Sequence, residues 1–161
     1  MKNNLKNILA AVFLIIVFFI GYLRETIFLV LNSVLNKYPF PFNSSYASPP
    51  DFLYSYSSQT LITMKWVLTF VFSVIFFMVS LVFIHFYFKN RSFNKIIAWT
   101  YLFLVGASFL TAVLGILLGN FDETYTLSRF IIGLAQSPLI PLVLFVLFYF
   151  KTKIEREKIK L

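Results

Sequence analysis

The sequence predicts an all-α integral membrane protein with four transmembrane helices, on the evidence of long apolar runs, overall composition and charge distribution. The apolar runs occupy residues 8–23, 66–88, 96–118 and 130–150. Three of them reach the roughly 20 residues that a helix needs to cross a hydrocarbon core of about 30 Å. Hydrophobic residues make up 60% of the 161 residues and charged residues only 12%, which is unlike a soluble domain. The runs lack the alternation of apolar and polar residues that is typical of a membrane β-barrel. In lipid, their backbone N–H and C=O groups must therefore be hydrogen-bonded within helices.

Positive charge is sorted between the segments that connect these runs. With both termini placed in the cytoplasm, the cytoplasmic segments hold ten basic and two acidic residues, which is the whole net charge of +8. The opposite side holds four basic and four acidic residues. This asymmetry is the positive-inside pattern, and with four crossings it predicts that both ends are cytoplasmic.

The first helix is expected over about residues 5–36, because a second apolar stretch follows Arg24 and Glu25. The extension beyond this pair is predicted to lie at the interface or to cap the bundle. Asn32 falls on the same side as Glu25, so this side needs water or a polar partner. The basic start and apolar core are also typical of a secretory signal, but bulky residues at 19–23 favour an uncleaved helix.

Residues 37–60 are expected to form a Pro-rich outer loop, since the prolines exclude a continuous helix. The aromatic residues in this segment suit the membrane interface, where a ring meets the lipid boundary and a hydroxyl meets water. An interface anchor is the first interpretation. A docking surface for another protein is the alternative.

Three further helices are expected at about residues 61–88, 95–118 and 127–151, with a second outer loop at 119–126 and a cytoplasmic tail at 151–161. Together with the first helix they make residues 1–161 a single membrane domain. Small residues recur on the last two helices at a spacing that lets backbones approach closely, which predicts a close antiparallel hairpin and allows a homo-oligomer through the same faces. These residues are Ala107, Thr111, Gly115 and Gly119 on the third helix, and Gly133 and Ser137 on the fourth.

Two prolines lie within the fourth apolar run. Pro138 and Pro141 are predicted to bend this helix near its middle.

The residues that carry common catalytic chemistry are scarce. The absence of Cys excludes disulfides, thiolate metal sites and a cysteine nucleophile. The one histidine, His85, makes a poor metal site alone, so an interfacial or hydrogen-bonded structural role is expected for it. No phosphate loop, zinc spacing, hydrolase elbow or dinucleotide fingerprint occurs. We therefore expect no catalytic residues, metal or cofactor, and no nucleic-acid partner.

Polar residues gather instead on the predicted outer face. Arg129 is expected to point along the seam between the third and fourth helices, and ion pairs of Arg24 with Asp122 or Glu123, or of Arg129 with Glu25, are expected at the bilayer edge. Asp122 and Glu123 make a poor acid and base pair because they are adjacent in a short loop. The cluster proposed to meet a partner is Arg24, Glu25, Asn32, Asp122, Glu123, Tyr125, Arg129 and Gln136.

Two stretches carry a family resemblance. The first is Arg24-Glu25 with Phe28 and Asn32. The second is the closing block of Tyr125, Arg129, Phe130, Ile131, Gly133, Gln136, Ser137 and Pro138 before an aromatic helix end and a basic tail. In these residues and in topology the chain resembles the small exosortase-associated membrane proteins of bacteria. Such proteins accompany exosortases, which are multi-spanning cysteine transpeptidases thought to process sorting signals on exported proteins.

The resemblance implies an accessory role in the bacterial cytoplasmic (inner) membrane, since this chain has no Cys for transpeptidation. We expect a non-catalytic accessory or assembly protein that binds another membrane protein of a sorting or export system. The alternative is a small oligomeric transporter or channel that uses the proline bend and Arg129. The spans carry few ionisable residues at depth, which argues against transport. A membrane-embedded hydrolase or transferase that works through Asp122 and Glu123 is the least supported of the three.

Overall fold

The computed structural model describes residues 2–36, 49–119 and 121–158, and within these ranges it describes the side chains of all residues except 2–4 and 121–123. These residues form helices and turns with no strand among them, so the predicted all-α class is confirmed. The helices are α1 (Lys2–Asn36), a 3-10 helix (Asp51–Ser55), α2 (Ser58–Phe88), α3 (Arg91–Leu118), α4 (Phe121–Ala135) and α5 (Leu139–Lys158).

Three helices, α1, α2 and α3, are each long and apolar enough to cross a membrane. The next two, α4 and α5, pass the same test only together, as a pair bent by 52° at a short break. The described chain therefore has three potential spans, or four if the bent pair is one broken span. This is consistent with a multi-pass membrane protein. The sequence predicts a bent but continuous helix over 127–151. In the structure the helix is interrupted, because α4 ends at Ala135 and α5 begins at Leu139.

Helices α2 and α3 begin earlier than expected, at Ser58 and Arg91 instead of residues 61 and 95. Polar caps explain the difference. Ser57 Oγ accepts a hydrogen bond at 3.2 Å from the backbone N–H three residues later, and Asn90 Oδ1 accepts one at 2.9 Å from the N–H two residues later. Because such caps satisfy N–H groups that have no partner inside the helix, a helix can begin before its apolar part.

The connecting segments also differ from the expectation. Most of the outer loop expected at 119–126 is helical, because α4 begins at Phe121. Gly119 ends α3 with φ of 71°, in the left-handed region that favours glycine. Most of the tail expected at 151–161 is helical, since α5 continues to Lys158. Residues 37–48 of the expected Pro-rich loop lie outside the described residues.

The start of α1 and the end of α5 lie at the same end of the helix bundle. Near the start of α1, the Lys6 ammonium is 5.3 Å from the centre of the Tyr87 ring, which is near the end of α2. Phe93 at the start of α3 stacks on Phe148 of α5, with ring centres 4.2 Å apart. We call this the terminal end of the bundle. The opposite end, where α1 finishes and α2 begins, is the loop end.

The main core is rich in aromatic side chains. Phe13 of α1 stacks on Phe83 of α2 with ring centres 3.7 Å apart. Phe145 of α5 lies at the centre of the aromatic cluster. Its ring contacts those of Phe13, Phe83, Tyr87, Phe88 and Tyr149. These contacts join helices that are far apart in sequence, so they position the terminal ends of α1, α2 and α5 relative to one another.

The second half of α1 packs against the loop end of the bundle. At about 1.5 Å per residue, the 35 residues of α1 extend about 52 Å, which exceeds the thickness of a hydrocarbon core. Leu31 and Val34 form a small buried cluster with Leu53 of the 3-10 helix and Leu61 of α2. The part of α1 beyond Glu25 therefore packs beside the first turns of α2 and the 3-10 helix. Its position at the interface or as a cap of the bundle stays a prediction.

Helices α3 and α4 form the most extensive helix pair in the described chain. At Gly115, an added Cβ would overlap the side chain of Thr124, so only glycine permits this approach. Ser108 and Ser128 are buried and reciprocally bonded: each hydroxyl donates to the other residue's carbonyl oxygen, at 3.0 and 2.8 Å. These contacts make the close antiparallel hairpin that the small residues predict.

The small-residue faces contribute unequally to this hairpin. Gly119 has no neighbouring atom within 4 Å of an added Cβ. Gly133 faces α1, because an added Cβ would lie 3.9 Å from Arg24 Nη2. The spacing of small residues identified the two helices that approach closely, but it placed Gly133 against the wrong neighbour.

Candidate functional site

A buried polar junction lies where α4 ends, and Gln136 is at its centre. Gln136 is only 1% exposed. Its Nε2 donates to the backbone carbonyl of Thr69 at 2.8 Å and to Ser73 Oγ at 3.2 Å, and its Oε1 accepts from Arg24 Nε at 3.4 Å. One side chain thus links α1, α2 and the break between α4 and α5.

Local sequence explains why the chain breaks here. Pro138 has no N–H to continue the α4 hydrogen-bond ladder. Ser137 closes the last turn through its backbone N–H and its hydroxyl, which both donate to the Leu134 carbonyl, at 3.1 and 2.8 Å. On α1, an added Cβ at Gly21 would lie 2.7 Å from Pro138 Cγ. The proline ring therefore packs directly against the α1 backbone, one turn before Arg24.

Arg24 combines three interactions at the edge of this junction. Besides Gln136, its guanidinium contacts the carboxylate of Glu25 at 3.0 Å and lies 5.0 Å from the centre of the Phe28 ring. Glu25 is 61% exposed, so this ion pair faces outward. The arginine thus pairs with its sequence neighbour. The partners expected for it, Asp122 and Glu123, lie in the first turn of α4, and their side chains are outside the described part of the chain.

A second polar group lies further toward the loop end. Lys65 of α2 donates to Asn32 Oδ1 of α1 at 2.7 Å, so Asn32 has the polar partner that its position required. Arg129 of α4 is exposed and lies close enough to Lys65 for the two cations to repel each other. Its guanidinium is 5.8 Å from the centre of the Tyr125 ring. Arg129 therefore lies on the side of α4 that meets α2, away from the predicted seam with α3. Among the described side chains it forms no ion pair with Glu25.

The eight predicted residues are thus divided. Arg24, Glu25 and Gln136 form the junction, while Asn32, Tyr125 and Arg129 belong to the second group. Sequence reasoning did not identify Thr69 and Ser73 as partners of Gln136. The signal was present in the sequence, because Lys65, Thr69 and Ser73 recur every fourth residue and so share one face of α2.

The chemistry of the junction is that of hydrogen bonding between helices. Both hydrogens of the Gln136 amide have acceptors, and its oxygen has a donor. Buried polar groups in lipid require such partners. No group of three His, Asp or Glu side chains that could hold a metal ion lies among the described residues.

The histidine joins the α2–α3 hairpin at the terminal end. His85 Nδ1 lies 2.9 Å from Asn94 Nδ2. This hydrogen bond fits one of the two structural roles expected for His85, and the interfacial role stays a prediction.

No family model, curated protein or solved structure matches the chain. The resemblance to exosortase-associated proteins thus remains a prediction from sequence.

Proposed function

We propose that this protein is a non-catalytic accessory or assembly subunit in the bacterial cytoplasmic membrane, and that it binds a membrane protein of an exosortase-like sorting system or of an export system. The observation that supports this proposal most directly is an exposed patch of aromatic and basic side chains. The neighbouring polar junction, in contrast, has its hydrogen-bonding groups paired within the protein. We call Trp66, Tyr125 and Arg129 the loop-end patch.

The loop-end patch has the composition of a protein contact. The Trp66 and Tyr125 rings lie 6.3 Å apart, Arg129 lies over the Tyr125 ring, and Trp66 is 54% exposed. Tryptophan, tyrosine and arginine are the residues that most often dominate binding energy at protein interfaces. The neighbouring cation of Lys65 adds positive charge, which favours an acidic surface on the partner.

The apolar helices leave a large surface for lateral association. Only 11% of the most apolar stretch of α1 is buried, compared with 33% for α2 and 22% for α3. Exposed apolar residues form a continuous line along α1, at Ile8, Val12, Ile15, Phe19 and Tyr22. Lipid or a helix of a second membrane protein can cover this line, and the accessory role makes use of the second possibility.

The broken α4–α5 pair is the one observation that favours the alternative, a small oligomeric transporter or channel. Transporters often build their binding sites from discontinuous helices. In this chain, however, Gln136 fills the break, and its amide is occupied by protein groups. After reconstitution in liposomes, an accessory subunit alone should move no solute, whereas solute flux would favour transport.

The accessory role is tested by co-expression with a multi-spanning membrane protein that carries Cys and His at its outer face, encoded next to this chain. The variants Trp66→Ala and Arg129→Gln should reduce co-purification in mild detergent by roughly tenfold or more, the effect of losing a dominant interface residue. Arg24 is unsuitable for this test because its loss would disturb the buried junction.

The controls remove the same residue types elsewhere. Trp99 on α3 is 69% exposed and Arg91 at the start of α3 is exposed, and both lie away from the loop-end patch. Trp99→Ala and Arg91→Gln should leave co-purification unchanged. Equal recovery of the partner with all four variants would contradict the proposal.

A further inference from the structure

A cavity of about 490 Å³ opens at the terminal end of the bundle, between the start of α1 and the last turns of α2 and α5. Its volume lies in the range of small-ligand pockets. We propose that this cavity binds the phosphate group of a ligand with net negative charge, such as the headgroup of an anionic phospholipid. This inference is independent of the proposed accessory function.

Charge is the first argument. Among the described residues, Lys6, Lys153 and Arg156 line the cavity, and Glu157 is the only acidic residue that does so. An anion placed between three cations is attracted by each of them. Arginine and lysine together are a common phosphate-binding combination, because the guanidinium offers paired N–H donors and the ammonium a compact charge.

The fold brings these cations together from opposite ends of the sequence. On α5, Tyr149, Lys153 and Arg156 are spaced by four and three residues, so they share one helix face. On α1, Lys6 is held above the Tyr87 ring. Arg156 and Tyr149 both lie within electrostatic reach of Tyr87. The cavity thus brings together side chains from three helices.

The position of the cavity suits a lipid headgroup. Its aromatic wall includes Tyr87 and Phe88, at the end of the apolar run of α2, and Tyr149, at the end of the apolar run of α5. Tyr149 is 49% exposed. If the apolar runs occupy the hydrocarbon core, the cavity opens at the level of the headgroups, where basic pockets between helices bind acidic lipids.

The site is tested with the full chain, purified in mild detergent and titrated with phosphatidylglycerol while bound lipid is counted by native mass spectrometry. Phosphatidylglycerol should bind in preference to phosphatidylcholine. The double variant Lys153→Gln/Arg156→Gln should weaken phosphatidylglycerol binding by roughly tenfold or more. Lys6→Gln, on a different helix, should weaken it in the same direction.

A matched control separates the cavity from general attraction between basic residues and acidic lipid. Arg91→Gln/Lys95→Gln removes two exposed cations from the same end of the bundle, outside the cavity. This control should bind phosphatidylglycerol like the parent protein. Equal loss in both double variants, no loss in either, or equal binding of the two lipids would overturn the proposal.

The source of the phosphate group is assigned by a third ligand, glycerol phosphate. Binding of phosphatidylglycerol alone would support the site and assign it to lipid. Binding of glycerol phosphate that is lost in the Lys153→Gln/Arg156→Gln variant would support the site and assign it to soluble phosphate esters. Lys153 and Arg156 are exposed in the last turns of α5, so an unchanged helical circular dichroism spectrum is expected for the variants.

Discussion

At the scale of single residues, Gln136 shows how one polar side chain can organise an apolar bundle. Its amide reaches α2 through Thr69 and Ser73, and its oxygen meets Arg24 on α1. In lipid these groups have few other partners, so each depends on the others.

Replacement of Gln136 by Leu should destabilise the protein by about 1–2 kcal/mol, because Arg24 and Ser73 lose a buried partner while side-chain volume is nearly kept. The measurement is reversible unfolding in mixed detergent micelles. Gln59→Leu, at an exposed position in the first turn of α2, is the matched control and should have little effect. If both variants unfolded alike, the amide would contribute nothing to the packing of the helices.

At the scale of helices, the close contact of α3 and α4 depends on a particular glycine. Sequence spacing identified several small residues on these helices. The structure selects Gly115, where Thr124 approaches the α3 backbone, together with the reciprocal bonds of Ser108 and Ser128. The exact contact depends on the rotation of α4 about its own axis, which small-residue spacing leaves open.

Gly115→Ala should destabilise the helix pair by about 1–3 kcal/mol, because the new methyl group overlaps Thr124 and the backbones must separate. Gly106→Ala, on the same helix with no atom within 4 Å of the new methyl group, should be neutral or slightly stabilising through its higher helix propensity. Thermal unfolding in detergent measures both.

A double-mutant cycle assigns the cost of Gly115→Ala to the contact with Thr124. In a Thr124→Gly background, Gly115→Ala should cost less than in the parent protein. An undiminished cost would show that the glycine matters for another reason.

The break between α4 and α5 depends both on residues at the break and on residues that are distant in sequence. Pro138 and Pro141 are visible in the sequence and predict a bend. The full interruption also depends on the α1 backbone at Gly21 and on Gln136, which are brought to the break by the packing of α1 and α2. These contacts between helices could not be predicted from the sequence of each helix taken separately.

At the scale of the whole molecule, the ends of the bundle differ in charge. The described basic residues near the turn from α2 to α3 and along the end of α5 lie at the terminal end, whereas Lys65 and Arg129 lie at the loop end. The positive-inside rule therefore predicts a cytoplasmic terminal end.

The orientation is tested with single cysteines, since the chain contains none. Ser58→Cys at the loop end should react with a membrane-impermeant maleimide added to intact spheroplasts. Ser92→Cys at the terminal end should react only after the membrane is permeabilised. The buried Ser80→Cys should react in neither case. Labelling of Ser92→Cys in intact spheroplasts, with Ser58→Cys protected, would invert the orientation.

By itself, the sequence determined the helical class, the apolar segments and the asymmetry of charge between the ends. Each of these features depends on residues that are close in sequence, such as those that make up an apolar run or those that set the charge of a connecting turn. The sequence also indicated which residues of the candidate site are polar and where along the helices they lie.

Only the tertiary structure decided which polar groups meet. Arg24 contacts Gln136, Asn32 contacts Lys65, and Lys6 approaches the end of α5, although these partners are far apart in the chain. Such contacts depend on the depth and rotation of each helix relative to the others. Those variables are set by the packing of all the helices together, with the aromatic core around Phe145 and the close approaches at Gly21 and Gly115.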